Sequence, residues 1–299
     1  MLSYLHAYHA GNAADVLKHS ALIFCLNYLK NKEKALLCVD THAGAGMYMP
    51  GAGENTQPEN TEWQKGLGLL LAQTQGTGPI PGMAADYITF CTAQQPAYSG
   101  SPLIMAKHLE KGDRVVCFEL HPGEFASLSG IMSDFRGAPI KGKPGIEVRR
   151  EDGLCGLRSL LPPPLGRALV LIDPSWEDAD EIDDVSVALQ DSLKRFPQGV
   201  YIIWYPLLRR PKEKGVSVRD TLFGVTQGKR CRLELYTASE ENKTAHTDAA
   251  QHSPRGMYGS GLVIINPPWT LRSALEDTMP WFAEILGGES GGWKLEWEA

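Results

Sequence analysis

Four short segments bring acids and small residues together in an order that suits chemistry on a nucleoside. In Asp40-Thr41-His42-Ala43-Gly44-Ala45-Gly46 the small residues let the backbone approach a ligand closely and offer it N–H groups. Glu119 ends a second segment, where a carboxylate can grip a ribose diol through two hydrogen bonds. Asp152-Gly153 can accept from an adenine amino group, and Asp173-Pro174-Ser175-Trp176 forms the fourth segment. Singly, each also fits a loop or a helix cap. Placed at successive strand ends they read as one site. No Walker lysine follows the Gly turn, and Gly44-Ala45-Gly46 lacks the full G-x-G-x-x-G spacing. A nucleoside cofactor without a polyphosphate is therefore expected, and S-adenosylmethionine fits better than NAD.

Asp-Pro-Ser-Trp points to the reaction. Methylating an exocyclic amine requires that weakly nucleophilic nitrogen to be turned towards a sulfonium. A carboxylate (Asp173) and the Pro174 carbonyl can accept its protons, and an aromatic ring (Trp176) can stack on the base. The plain alternative is a type I turn with Pro at its second position.

The elements that must hold these residues follow from pattern. A helix is expected from Asn12 to Leu29, capped by Asn12, with Asp15 in its first turn and an apolar stripe from Val16 to Leu29. Buried-strand patterns occupy residues 35–39, 114–119, 145–149, 168–173 and 199–205, and later strands lie near 232–236 and 261–265. Helical stretches separate them, clearest at 181–196. Strands alternating with helices predict an α/β doubly wound sheet. Residues 50–82 are rich in Gly and Pro, helical patches lie only near 63–71 and 83–93, and residues 50–100 read as an insertion within a single domain spanning 1–299.

Composition narrows the class. The chain has 299 residues, 43% hydrophobic and 21% charged, with a net charge of −6, which is not that of a protein coating nucleic acid non-specifically. Six scattered cysteines form no CxxC and suit a reducing cytoplasm. No apolar run is long enough to span a membrane, and the first residues do not read as a secretory signal. His6 and His9 have no evident third partner, so no metal is expected.

The opening Met1-Leu2-Ser3-Tyr4-x-His6-x-x-His9-Ala10-Gly11-Asn12-x-Ala14-Asp15-Val16-Leu17-Lys18-His19 closely resembles that of the bacterial 23S rRNA adenine-N6 methyltransferases of the RlmJ type. The 40–46 turn, Gly100-Ser101-Pro102-Leu103-Ile104, Glu119-Leu120-His121-Pro122, Trp204-Tyr205-Pro206 and the segment 261–269 extend the resemblance over essentially the whole chain. It implies a class I (Rossmann-like) methyltransferase fold with a small helical insertion. It also implies S-adenosylmethionine held among Lys18, His19, His42, Ser101, Glu119, Asp152 and Gly153. Asp173 would hold the target amine, and Tyr4 would meet the substrate nucleotide with His6 and Lys18 close by. The implied partner is 23S rRNA before assembly hides its site. The family has Asp-Pro-Pro-Tyr where this chain has Asp173-Pro174-Ser175-Trp176, which keeps the Pro174 carbonyl but loosens the turn.

Asn266-Pro267-Pro268-Trp269 matches the amino-methyltransferase pattern on paper, yet it follows a late strand and is expected to be a structural exit. Trp281, Trp293 and Trp297 are expected to pack. Basic clusters at Arg149-Arg150, Arg209 to Lys214 and Lys229 to Arg232 are usually solvated surface, but together would suit a phosphate-binding face. The alternatives to 23S rRNA are DNA or a small nucleoside methylated at adenine N6, and a paralogue that binds RNA or cofactor without turnover.

Overall fold

A computed structural model describes residues 9–49, 62–76, 78–135, 145–177, 180–208, 218–226, 228–239 and 256–298. Its elements in chain order are α1 (Ala13–Lys30), β1 (Leu37–Asp40), β2 (Met47–Tyr48), α2 (Leu67–Gln73), α3 (Gly82–Thr92), β3 (Tyr98–Ser99), α4 (Ser101–Lys107), β4 (Arg114–Phe118), α5 (Pro122–Ser133) and β5 (Ile146–Arg149). There follow α6 (Gly153–Leu160), β6 (Ala168–Ile172), α7 (Glu181–Arg195), β7 (Val200–Leu208), α8 (Val218–Gly224), β8 (Arg230–Tyr236), β9 (Met257–Ile265), α9 (Leu271–Gly287) and β10 (Gly292–Glu298). Residues 63–65 add one 3₁₀ turn before α2.

Eight strands form one sheet in the order β10-β8-β9-β7-β6-β1-β4-β5. The five from β7 to β5 are parallel, while β9 runs against β7 and β8, and β10 runs against β8. Alternate residues of the parallel strands bury on opposite faces. Cys38, Val115, Leu169 and Ile202 join a core roofed by α1, α4 and α9, and Val39, Val116, Val170 and Ile203 join one roofed by α6 and α7. This two-sided burial explains the unbroken apolar runs. The chain leaves β1 for β4 on one side and returns to β6 on the other, so the strand order switches at β1. Ligands bind beyond the carboxyl ends of the strands at such a point.

Leu67, Leu70, Met83, Tyr87 and Ile88 of α2 and α3 pack into the core cluster that also holds Leu17, Leu22 and Leu275 of α1 and α9. After β9, two further elements have no counterpart in the sequence reading. One is α9, which continues through Pro280, a residue that normally breaks a helix interior. The other is edge strand β10, whose Trp293, Leu295 and Trp297 alternate with charged residues and pack on the core. Among the described residues no helix is long and apolar enough to cross a membrane, and no group of three or more His, Cys, Asp or Glu side chains is arranged to hold a metal ion.

Candidate active site

The carboxyl ends of β1, β4, β5 and β6 surround a cavity of about 260 Å³. Lys18, His19, His42, Ser101, Glu119, Asp152, Gly153, Asp173 and Pro174 all line it, although they lie as far apart in sequence as α1 and the β6 exit. Tyr4 and His6 fall outside the described residues.

The β1 exit supplies the floor. Gly44, at φ +61°, lets the chain turn back, and its N–H donates to Glu119 Oε2 at 2.8 Å. The His121 N–H donates to Glu119 Oε1 at 2.7 Å. Both carboxylate oxygens are thereby oriented, and each keeps accepting capacity for a further donor. Asp152 caps α6 by accepting from the Cys155 N–H at 2.9 Å. Behind it, a side chain at Gly153 would put its Cβ 2.1 Å from the Thr41 carbonyl oxygen, so only glycine lets α6 close against the β1 exit.

His42 has a defined hydrogen-bond sense. The Thr41 hydroxyl donates to the Leu171 carbonyl at 3.1 Å, so its oxygen accepts from His42 Nδ1–H at 2.8 Å. Burial lowers the His42 pKa, outweighing the neighbouring Asp173 and Asp152, so the ring is neutral at pH 7 and Nε2 is an acceptor. Asp40, the last residue of β1, is wholly buried. Its Oδ1 accepts from the His42 N–H at 3.3 Å, while Oδ2 has no hydrogen-bond partner among the described residues. Burial, reinforced by Asp173, pushes its carboxyl up to about 7 despite the Ser101 hydroxyl nearby.

Charge is concentrated at the opposite wall. Lys18 is buried on α1 and pairs with Asp15 Oδ1 at 2.9 Å and with Asp173 Oδ2 beyond the β6 exit. Burial alone would lower its pKa, but the two carboxylates outweigh it and keep the ammonium charged. Asp15 also accepts from the Gly11 N–H at 2.9 Å, which fixes the start of α1. His19 Nδ1 lies 2.7 Å from the Tyr98 hydroxyl, itself 3.2 Å from that of Tyr87 on α3. His9 and Asn12 both bond Glu62 Oε2 at 3.0 Å, joining the segment before α1 to that before α2.

The aromatic platform expected at Trp176 is not on the cavity. Trp176 adopts φ +56°, is 7% exposed, and packs in the core cluster on the α6–α7 face. Its indole N–H donates to the Trp204 carbonyl at 3.1 Å. The positive φ turns the ring inward, which the tetrapeptide alone does not reveal. Trp204 of β7 lines the cavity instead, 5.8 Å from Lys18 Nζ to its ring centroid. The sequence marks Asp15 only as the first-turn acid of α1, and it assigns neither Trp204, despite the Trp204-Tyr205-Pro206 segment, nor the Tyr98–Tyr87 pair to the site.

Asn266 lies at the other end of the sheet. β9 runs against β7, and its last residue, Ile265, faces Tyr201 near the start of β7. The Asn266 side-chain amide donates to the carbonyls of Pro197 and Gly199 at 2.8 and 2.7 Å, which makes this segment a strand exit. The basic face is also corrected in part. Arg230 pairs with Glu298, and Arg232 with Asp220 and Glu296, both arginines being buried. Arg149 pairs with Glu147, while residues 209–217 fall outside the described residues.

Residues 33–299 match the family described as "Ribosomal RNA large subunit methyltransferase D, RlmJ". The chain is 35% identical over 99% of both chains to ribosomal RNA large subunit methyltransferase J of Haemophilus influenzae. It is 32% identical, again over 99% of both, to the Escherichia coli protein of that name. Among solved structures, protein LPL1258 of Legionella pneumophila superposes with a TM-score of 0.80 at 29% identity, covering 97% of this chain and 99% of that one.

Proposed function

The chain belongs to the RlmJ family of ribosomal RNA large subunit methyltransferases, and on that premise we propose that it methylates N6 of an adenosine in 23S rRNA, using S-adenosylmethionine. The observation that carries this reading is the convergence of Asp173 and Pro174 with Glu119, Asp152 and Gly153 on one cavity at the switch point of the sheet. On this reading residues 1–299 form one methyltransferase domain, with 50–100 as a helical insertion; the packing of α2 and α3 in a core shared with α1 and α9 supports it.

The residues present suit the cofactor. The Glu119 carboxylate, held by two backbone N–H groups, matches a ribose diol. The close approach at Gly153 makes a narrow cradle beside Asp152, whose remaining acceptor capacity suits an adenine amino group. Ser101, His19, His42 and Lys18 supply polar contacts on the walls. When bound, the cofactor supplies an electrophilic methyl group.

The protein's own part is orientation. Asp173 and the Pro174 carbonyl accept hydrogen bonds from the exocyclic amine, turning its lone pair towards the methyl group. Accepting the methyl group would make the nitrogen acidic. Its proton then passes to solvent, so Asp173 acts first as an acceptor, with any role as base secondary. Tyr4 and His6 are proposed to contact the substrate nucleotide. The target base must leave its stack to reach the cavity, and on this reading the substrate is free 23S rRNA in the cytoplasm rather than the assembled particle.

The test is methyl transfer from labelled cofactor to a 23S rRNA transcript, assembled large subunits, DNA and free adenosine, with nucleoside mass analysis of the product. N6-methyladenosine in the transcript alone is expected. Labelling of DNA or adenosine in preference, or no labelling at all, overturns the proposal.

A further inference from the structure

Trp204 combines three properties that a purely packing aromatic does not need. It lines the same cavity as Asp173 and Pro174, although it stands on the neighbouring strand, β7. Lys18 Nζ, which pairs with Asp173, is 5.8 Å from its ring centroid, so carboxylate and ring share one ammonium as a neighbour. Its indole N–H is buried and has no hydrogen-bond partner among the described residues. A buried donor left unpaired is costly and uncommon, and a ligand acceptor would remove that cost.

The strand that carries Trp204 is also tied to the loop that bears Asp173. Trp176 donates its indole N–H to the Trp204 carbonyl at 3.1 Å, so the loop bearing Asp173 and the strand bearing Trp204 are tied by one hydrogen bond. The aromatic of the tetrapeptide thus anchors the strand that carries Trp204.

We propose that Trp204 is the surface on which the target adenine stacks while its amine is presented to Asp173 and the Pro174 carbonyl, with Trp204 Nε1–H donating to an acceptor on the incoming nucleotide. This rests on the methyltransferase reading and adds to it the residue that holds the base. Stacking tolerates any base, because every base has a π face. Trp204 therefore supplies affinity, and Asp173 with Pro174 supplies the choice of an exocyclic amine.

The test compares Trp204→Leu, Trp204→Phe and wild type in single-turnover methylation across a range of 23S rRNA transcript concentrations, alongside calorimetric titration with S-adenosylmethionine. Trp204→Leu is expected to raise the RNA concentration at half-maximal rate by roughly tenfold or more, and Trp204→Phe to recover most of that loss. Cofactor affinity should stay within about twofold in all three, a separation that general loss of structure would not give. A second readout needs no turnover: titration with adenosine should quench tryptophan emission saturably in wild type and not in Trp204→Phe. Wild-type dependence on RNA in Trp204→Leu, or an undiminished quench in Trp204→Phe, overturns the proposal. If wild type methylates no RNA yet the quench is lost in Trp204→Phe, the rRNA reading fails and the base site stands.

Discussion

Two tetrapeptides in this chain look alike and do opposite things. Asp173-Pro174-Ser175-Trp176 leaves β6, and Asn266-Pro267-Pro268-Trp269 leaves β9. Each contains a non-glycine residue in the left-handed region, Trp176 at φ +56° and Asn266 at φ +53°. In the first, the acid faces a cavity and pairs with Lys18, while the tryptophan is buried. In the second, the amide is consumed by the carbonyls of Pro197 and Gly199, and Trp269 is 78% exposed. Strand direction makes the difference. β6 ends at the switch-point side of the sheet, and antiparallel β9 ends on the other. A short motif acquires its chemistry from the end of the sheet at which it emerges.

The comparison is broken most directly by removing the two leading side chains. Asp173→Ala should lower single-turnover methylation of 23S rRNA by about a hundredfold or more while leaving cofactor affinity intact, and Asp173→Asn, with one acceptor oxygen, should keep a trace. Asn266→Ala should keep its specific activity. If Asn266→Ala is inactive and Asp173→Ala active, the assignment of the two exits is reversed.

Asn266→Ala should instead cost stability, about 1–3 kcal/mol, by leaving two carbonyls without their donor and placing alanine at positive φ. Asn266→Gly relieves the second cost and should melt above Asn266→Ala. Chemical denaturation of both variants measures this, and equal stabilities would mean that the backbone conformation contributes nothing.

Acidity separates the two ends as well. The Asp40 carboxyl is held near 7 when folded, well above the ordinary carboxylate range. Between about pH 4 and pH 7 the native state keeps a proton that the unfolded chain releases, so this contribution to stability is lost as pH rises through 7. Asp40→Asn removes the titration and keeps an acceptor for the His42 N–H. The melting temperature of wild type relative to this variant should fall between pH 5 and pH 8, and a constant difference would show that Asp40 ionises normally.

The smallest effect is expected from Ser175→Pro, which leaves Trp176 as the one residue of the tetrapeptide unlike the family's Asp-Pro-Pro-Tyr. It removes the bond from Ser175 Oγ to Glu181 Oε1 at 3.1 Å and stiffens the turn. Turnover should stay within a few-fold of wild type, and a large loss would show that the serine hydroxyl or N–H positions the loop.

Much of this arrangement was legible before the structure. Acids and glycines at the ends of apolar runs located the switch point, because parallel strands buried on both faces leave a strong signature. Asn12 and Asp15 marked the start of α1 for similarly local reasons. What stayed hidden depended on distance or on a single dihedral angle. Lys18 and Asp173 are 155 residues apart, and nothing local to either announces the pair. The motif predicts Trp176 on the cavity, but the left-handed backbone at that residue and its place in the core are not written in the tetrapeptide. Arg230 and Arg232 looked like phosphate ligands until Glu298, Glu296 and Asp220 were found to neutralise them. The alternation in β10 was readable, but its aromatics had been accounted for as packing alone.

The hydroxyls behind His19 have a consequence of a different kind. Burial holds the Tyr87 and Tyr98 phenols well above their usual range, so both stay neutral and each has one hydrogen to give. Tyr98 stands between Tyr87 and His19 Nδ1, so donation along the row runs in one sense or the other. With the ring neutral, donation towards His19 leaves its proton on Nε2, and donation away from it leaves Nε2 bare. The row is a two-position polarity selector, moving no net charge. Tyr87 of α3 thereby bears on which tautomer His19, a residue lining the cavity, adopts beside Asp15, whose Oδ1 lies 3.8 Å from its Nε2.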